Sequence, residues 1–185
     1  RQAACPCPVG RSSRRAVWRG GALRVRVSTM TLLPLDPFDP QARELLAASD
    51  AYMAALYPAE SNHLDGAEVL AAPNVHLVGG WQGPRLMACG AVKRLVDADG
   101  TAYGEIKRVW VRPEARGQGW SRRVMAALHA HLQAQGVPLA RLETGIHQPE
   151  ALGLYRALGY VERPPFGDYR PDPLSLFMEL RLGPA

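Results

Sequence analysis

A chain of 185 residues that is 47% hydrophobic can fill one domain with a substantial core but is too short for two. Charge, Pro or Gly interrupts every apolar run well short of the roughly 20 residues that span a bilayer, which argues for a soluble protein without membrane contact. The net charge of +5 is an end effect: seven arginines precede Met30 with no acidic residue among them, leaving −2 for the rest, so the body has no electrostatic case for nucleic acid.

Residues 1–29 are rich in Arg, Gly, Ser and Pro, lack apolar periodicity, and are expected to be a disordered extension; the domain then covers residues 30–185. Of three cysteines, Cys5 and Cys7 lie in the extension and Cys89 in an apolar run. This odd count without a framework points to a reducing, cytoplasmic setting.

From Met30 the pattern predicts a short strand over 31–35. An acidic cap and Pro at Asp39-Pro40 then open a helix over 40–56, which Pro58 stops. A second short helix falls at 65–71. Three strands follow at 74–79, 85–95 and 101–111, with turns at 79–84 and 97–100, giving an antiparallel meander. Over 119–135, Val124, Met125, Ala127, Leu128 and Leu132 share one helical face, with Arg122, Ala126, His129 and Gln133 opposite. A strand over 139–144 leads to a helix opened by Pro149, which directs Ala151, Leu154, Tyr155 and Leu158 inward. Strands at 160–162 and 174–182 flank a Pro-rich loop containing Phe166 to Tyr169. The fold class is mixed α/β, with a central sheet of six or seven strands and four helices.

The stretch from Val109 to Ser121 joins a buried strand to an amphipathic helix and reads as an anion cradle. Gly117 and Gly119 let backbone approach a ligand closely, the helix N-terminus offers unpaired N–H groups, and Arg116 adds a fixed charge. A dinucleotide fingerprint would need Gly at Arg122, and a P-loop would need Lys and Ser/Thr where Trp120 and Ser121 stand.

Arg116-Gly117-Gln118-Gly119-Trp120-Ser121, after a strand that runs into Val111-Arg112-Pro113, resembles the coenzyme signature of the GNAT superfamily of N-acetyltransferases, with Ser121 in place of its final Gly or Ala. The resemblance extends over residues 31–182 and includes the segment 151–160 with its helix Tyr155. It implies acetyl-CoA as co-substrate and direct acetyl transfer to an amine, with the coenzyme seated where the third meander strand and the strand after the helix splay apart.

Under that resemblance Val109 marks an oxyanion-binding backbone N–H and Val111 pairs with the pantetheine arm. Arg116, Gly117, Gln118, Gly119, Trp120 and Ser121 cradle phosphate, and Gln148 stands where many members have a pantetheine-contacting Asn. Glu105 is the candidate base, with a solvated ion pair to Lys107 as the structural alternative, and Tyr155 the candidate acid. On period-2 alternation Glu105 shares a face with Lys107 and Val109. The candidates for the acceptor pocket are Glu60, His63, Lys107, Arg108 and Tyr169, and the two cations suggest a small-molecule amine bearing a carboxylate. His129 and His131 sit on or beside the polar helix face while His76 and His147 stand alone, so no metal is expected. A non-catalytic acyl-CoA sensor and a peptide acetyltransferase are the alternatives, and the oligomeric state, a homodimer included, is open.

Overall fold

The computed structural model describes residues 29–62 and 64–183, the side chain of Glu60 excepted. The extension expected over 1–29 therefore lies outside the described residues but for Thr29.

The elements run β1 (Met30–Pro34), α1 (Pro40–Leu56), α2 (Ala67–Leu70), β2 (Val75–Gln82), β3 (Arg85–Val96), β4 (Ala102–Val111), α3 (Trp120–Ala134), β5 (Leu139–Gly145), α4 (Pro149–Ala157), β6 (Val161–Arg163) and β7 (Ser175–Arg181). This is the order and type expected from the pattern. Asp39 starts α1 because its carboxylate accepts from Gln41 N–H at 2.8 Å and Ala42 N–H at 3.3 Å, while Pro40 gives up no donor at the first turn.

One seven-stranded sheet has the order β1-β2-β3-β4-β5-β7-β6, and only β4 and β5 are parallel neighbours. Their pairing is short. It joins Gly104 to Ala140, Glu105 to Arg141 and Ile106 to Leu142, after which β4 continues to Val111 and β5 to Gly145 without pairing. The sheet therefore opens beyond Ile106 in the place the resemblance implied.

The main core lies under α3, where Val124, Met125, Leu128 and Leu132 are fully buried with Val92, Ile106 and Leu142 of the sheet. On the opposite face α1 lays Ala42, Leu45 and Leu46 against Leu77, Leu86, Ala91 and Trp110. A third cluster, Tyr103, Leu139, Phe166 and Phe177, fixes the loop between β6 and β7.

Three local expectations need correction. Instead of turning at Gly79, β2 continues to Gln82, with a bulge at Gly80/Trp81 and the turn confined to Gly83-Pro84. Gly79 and Gly80 serve packing there, since a Cβ would come within 2.8 Å of Leu86 at one and of the Trp120 ring at the other. Second, α4 turns Ala151, Leu154, Tyr155 and Leu158 to the core as expected, but Leu152, not expected there, is buried with Tyr155 while the other three are half-buried. Third, His129 is half-buried and hydrogen-bonded to the Tyr160 hydroxyl at 2.8 Å, His76 stacks on His131 with centroids 3.9 Å apart, and His147 stacks on Tyr57. Facing partners across the sheet and α3, invisible to single-element periodicity, account for these contacts.

Candidate active site

The loop between β4 and α3 has the chemistry of an anion cradle. Gly117 and Gly119 hold φ of +73° and +82°, conformations that only glycine adopts cheaply, and Gly119 is the N-cap of α3 with no side chain capping it. The first N–H to bond back is Arg123, to Gly119 O at 3.2 Å, so those of Trp120, Ser121 and Arg122 precede the first helical bond. A Cβ at either glycine would meet no protein atom within 4 Å, so the space over the loop is open. Backbone donors at the positive end of a 15-residue helix fit a pyrophosphate.

The side chains of the cradle contribute less than the backbone. Trp120 is 1% exposed, packed under Gly80, and reaches the loop only through its N–H. Gln118 Nε2 donates back to Glu114 O at 3.1 Å. The Arg116 guanidinium lies over Trp110 and Tyr52, 4.9 and 5.6 Å from their centroids, and its Nε approaches Val111 O at 3.4 Å.

A bulge shapes β4 where the sheet opens. Cys89 and Ala91 of β3 oppose Trp110 and Lys107, so Arg108 and Val109 together face Gly90. Arg108 takes up the extra residue at φ +57°, the one positive φ outside glycine among the described residues. The bulge resets the alternation: Val109 joins Ile106 on the α3 side, whereas Trp110 turns to α1. The face expected to hold Glu105, Lys107 and Val109 together thus keeps the first two and loses the third. With β5 already diverging, the bulged backbone of β4 borders the opening.

Glu105 is 5% exposed, which removes the solvated alternative, yet it is paired with Lys107. Its Oε1 accepts from the Tyr169 hydroxyl at 2.6 Å and from Lys107 Nζ at 3.3 Å, and Lys107 also lies 3.5 Å from Asp65. Arg108 reaches away from this group, pairing with Asp50 at 2.5 Å and donating to Leu46 O at 3.2 Å. Tyr155 is buried, and burial first, then the charge of Glu143, raises its pKa well above that of an ordinary phenol.

A cavity of about 90 Å³ at the opening is lined by Ser49, Met53, Leu64, Glu105 to Val109, Glu143, Thr144, Gln148, Tyr155 and Tyr169. It gathers Glu105, Lys107, Arg108, Val109, Gln148, Tyr155 and Tyr169 of the expected residues. Gln148 heads α4 without spending its amide on capping. Glu105, Lys107, Leu64 and Tyr169 also line a wider groove of about 1350 Å³ between the α1–α2 connection and the β6–β7 loop. His63 and the Glu60 side chain fall outside the described residues.

Several residues were missed from sequence. Asp65 reads only as the start of the second short helix, but it lies ahead of α2 and completes the Lys107 cluster. Glu143 reads as one alternation of β5 but lines the cavity. Tyr57 looks like the end of α1 but packs against the end of β5. Strand parity could have flagged Glu143, two residues beyond the partner of Glu105.

This combination of an opened β4–β5 pair, a cavity at the opening and a glycine cradle at the end of β4 defines an acyl-coenzyme transferase. The chain belongs to the acetyltransferase (GNAT) family, whose model matches residues 41–160, and is an acetyl-CoA-dependent N-acetyltransferase. It is 39% identical to the IAA acetyltransferase of Azospirillum brasilense over 150 residues, covering 81% of this chain and 96% of that protein. The uncharacterized N-acetyltransferase YsnE of Bacillus subtilis is 33% identical over 133 residues, 70% of this chain and 85% of that one. A Klebsiella pneumoniae structure described as an acyl-CoA N-acyltransferase superposes with TM-score 0.70 at 33% identity, covering 84% of this chain and 99% of that one. The PaiA N-acetyltransferase of Thermoplasma acidophilum, solved with coenzyme A, shares the fold at TM-score 0.65 and 14% identity, with 83% and 99% of the chains covered.

Proposed function

We propose that this enzyme transfers acetyl from acetyl-CoA directly to the amine of a small molecule that is cationic as it enters the groove. The observation that carries the reading is the junction of cavity and groove at Glu105, Lys107 and Tyr169, beside Tyr155. Asp65, Asp97, Asp99, Glu105, Asp168 and Asp172 line the groove against Lys93, Lys107, Arg163 and Arg170, and a surplus of carboxylate favours a protonated amine. Lys107 and Arg108, which suggested an acceptor carboxylate, already have Glu105, Asp65 and Asp50 as partners, so the acceptor needs none on their account.

In this reading Glu105 takes the ammonium proton, directly or through water. The amine nitrogen then bonds to the thioester carbon, the bulged backbone at Val109 donates to the developing oxyanion, and the carbon–sulfur bond breaks as the nitrogen gives up its second proton to water, leaving the amide and the coenzyme thiolate. Such an oxyanion donor is worth about 3–4 kcal/mol. Tyr155 donates a hydrogen bond to the departing sulfur. Its raised pKa keeps the phenol protonated, and against a thiol of pKa near 8.5 complete proton transfer is uphill, so Tyr155 acts by stabilising the thiolate. The phosphates would rest on the N–H groups of Gly117 to Ser121, and Gln148 would face the pantetheine.

Thiol release from acetyl-CoA, followed against a panel of polyamines, aminoglycosides, amino acids and peptides, tests the reading. Turnover is expected with small cationic amines. Binding of acetyl-CoA without thiol release on any amine would make the protein an acyl-CoA sensor instead.

A further inference from the structure

The β6–β7 loop is built to deliver one hydroxyl. Phe166 to Tyr169 form a turn closed by Tyr169 N–H to Phe166 O at 3.1 Å, with Gly167 at φ +55° where an added Cβ would stand 3.0 Å from the Tyr103 hydroxyl. Phe166 is 4% exposed, packed edge-on to Tyr103 and Phe177, with the guanidinium groups of Arg141 and Arg163 at 5.8 and 5.5 Å from its ring. Tyr169 then packs on Phe166 and Phe177, and Pro164, Pro165, Pro171 and Pro173 stiffen both sides of the turn. The turn is thus fastened to the sheet, and Tyr169 arrives at Glu105 already placed.

We propose that Tyr169, which lines the groove, is also a positioning residue for the base, acting through Glu105; this rests on the reading of Glu105 given above. A carboxylate 5% exposed has lost most of its water and needs donors that replace it and aim the group. Tyr169 supplies the shorter of two bonds, 2.6 Å against 3.3 Å from Lys107, and both fall on Oε1. Oε2 accepts no hydrogen bond from the described residues and is the oxygen left for the acceptor proton. Tyr169 can hold this position at any working pH. Burial, the charge and hydrogen bond of Glu105, and the charges of Glu143 and Asp65 all push its pKa upward, so it remains a donor. Lys107, in contrast, divides its charge between Glu105 and Asp65 and also donates to the Tyr169 hydroxyl at 3.2 Å.

The test is a double-mutant cycle on kcat and acceptor KM at saturating acetyl-CoA, with wild type, Tyr169→Phe, Glu105→Gln and the double variant. Tyr169→Phe keeps the ring and its packing and loses the buried hydrogen bond to Glu105, so the melting temperature should fall modestly while the fold holds; kcat should fall about tenfold or more, the scale of a disturbed acid–base group, with acceptor KM little changed. The double variant should be no slower than Glu105→Gln alone, because no base is left for the hydroxyl to position. Gly167→Ala, which strains the turn at the edge of the groove without contacting Glu105, should reproduce the kcat loss. Multiplicative losses in the double variant, or a rise in KM alone, would overturn the role of Tyr169 while leaving Glu105 as base. A wild-type rate for Glu105→Gln would instead remove the base itself and the proposal with it.

Discussion

The Tyr57 ring occupies the space that a side chain at residue 145 would need: a Cβ on Gly145 would overlap the Tyr57 hydroxyl and ring. That hydroxyl accepts the His147 N–H at 2.8 Å, and the Tyr57 and His147 rings stack with centroids 5.7 Å apart. The residue that ends α1 therefore sets the turn from β5 into α4, the turn that presents Gln148 to the cavity. Gly145→Ala should force this contact apart and lower stability by about 1–3 kcal/mol, as overpacking does. Acetyl-CoA affinity should fall with it. Thermal melting and calorimetry check both, and wild-type values in each would show that Tyr57 yields without moving the turn.

At Gly119 folding and binding should separate. Its φ of +82° strains any other residue, by roughly 1–2 kcal/mol for a side chain in that region, yet no protein atom within 4 Å opposes a new Cβ. Gly119→Val should fold and still lose acetyl-CoA, because the branched side chain stands over the N–H groups of α3. Arg116→Ala should cost far less. Its guanidinium rests on Trp110 and Tyr52, an exposed cation–π contact worth about 0.5–1 kcal/mol, so the affinity loss stays below about tenfold. Calorimetry ranking the two variants the other way round would contradict this.

What the sequence made legible follows from how local each signal is. Asp39-Pro40 and Pro58 bracket α1, whose bounds agree with expectation, and Gly117-Gln118-Gly119 marks the cradle because positive φ needs glycine. The bulge was hidden for the converse reason: Arg108 adopts φ +57° without being glycine, and this one residue moves Val109 to the other face. The Glu105–Tyr169 bond joins positions 64 residues apart, and no period in either segment reports it. Burial of Glu105 was equally invisible, since it depends on the loop that closes over it.

Stability should fall as the pH drops toward 5.5, in part through histidine. Burial holds the pKa of His129, His76 and His131 below the usual value; the neighbouring His131 adds to the effect on His76, and Arg94 to that on His131. The sign follows from the direction. When the folded pKa is the lower one, the unfolded chain binds more protons below its own pKa of about 6.5, so the folded state loses ground as pH falls through that value and is unaffected well above it. His131→Gln removes one ring of the stacked pair and one of these protonations, so its melting temperature should vary less with pH between 7.5 and 5.5 than that of wild type. An equal or steeper dependence would contradict the assignment.

Tyr155→Phe should separate catalysis from binding. The ring is 7% exposed and packs edge-on to Tyr160 with centroids 5.8 Å apart, contacts that phenylalanine keeps, so stability and acetyl-CoA affinity should hold. Only the hydroxyl at the cavity is lost. Because its raised pKa leaves it protonated throughout the working range, no basic limb of the wild-type pH–rate profile should belong to Tyr155. The loss in kcat should therefore be similar at every pH. If thiolate departure limits the rate, that loss is about 10²-fold or more, the usual range for one lost donor to a developing anion. Acceptors of low basicity should suffer most: they leave the tetrahedral intermediate as easily as the thiolate does, so the intermediate reverts unless the sulfur is stabilised. Single-turnover rates across amines of graded pKa, with coenzyme saturating, measure this. Rates equal to wild type for every amine would leave Tyr155 as a packing residue of α4.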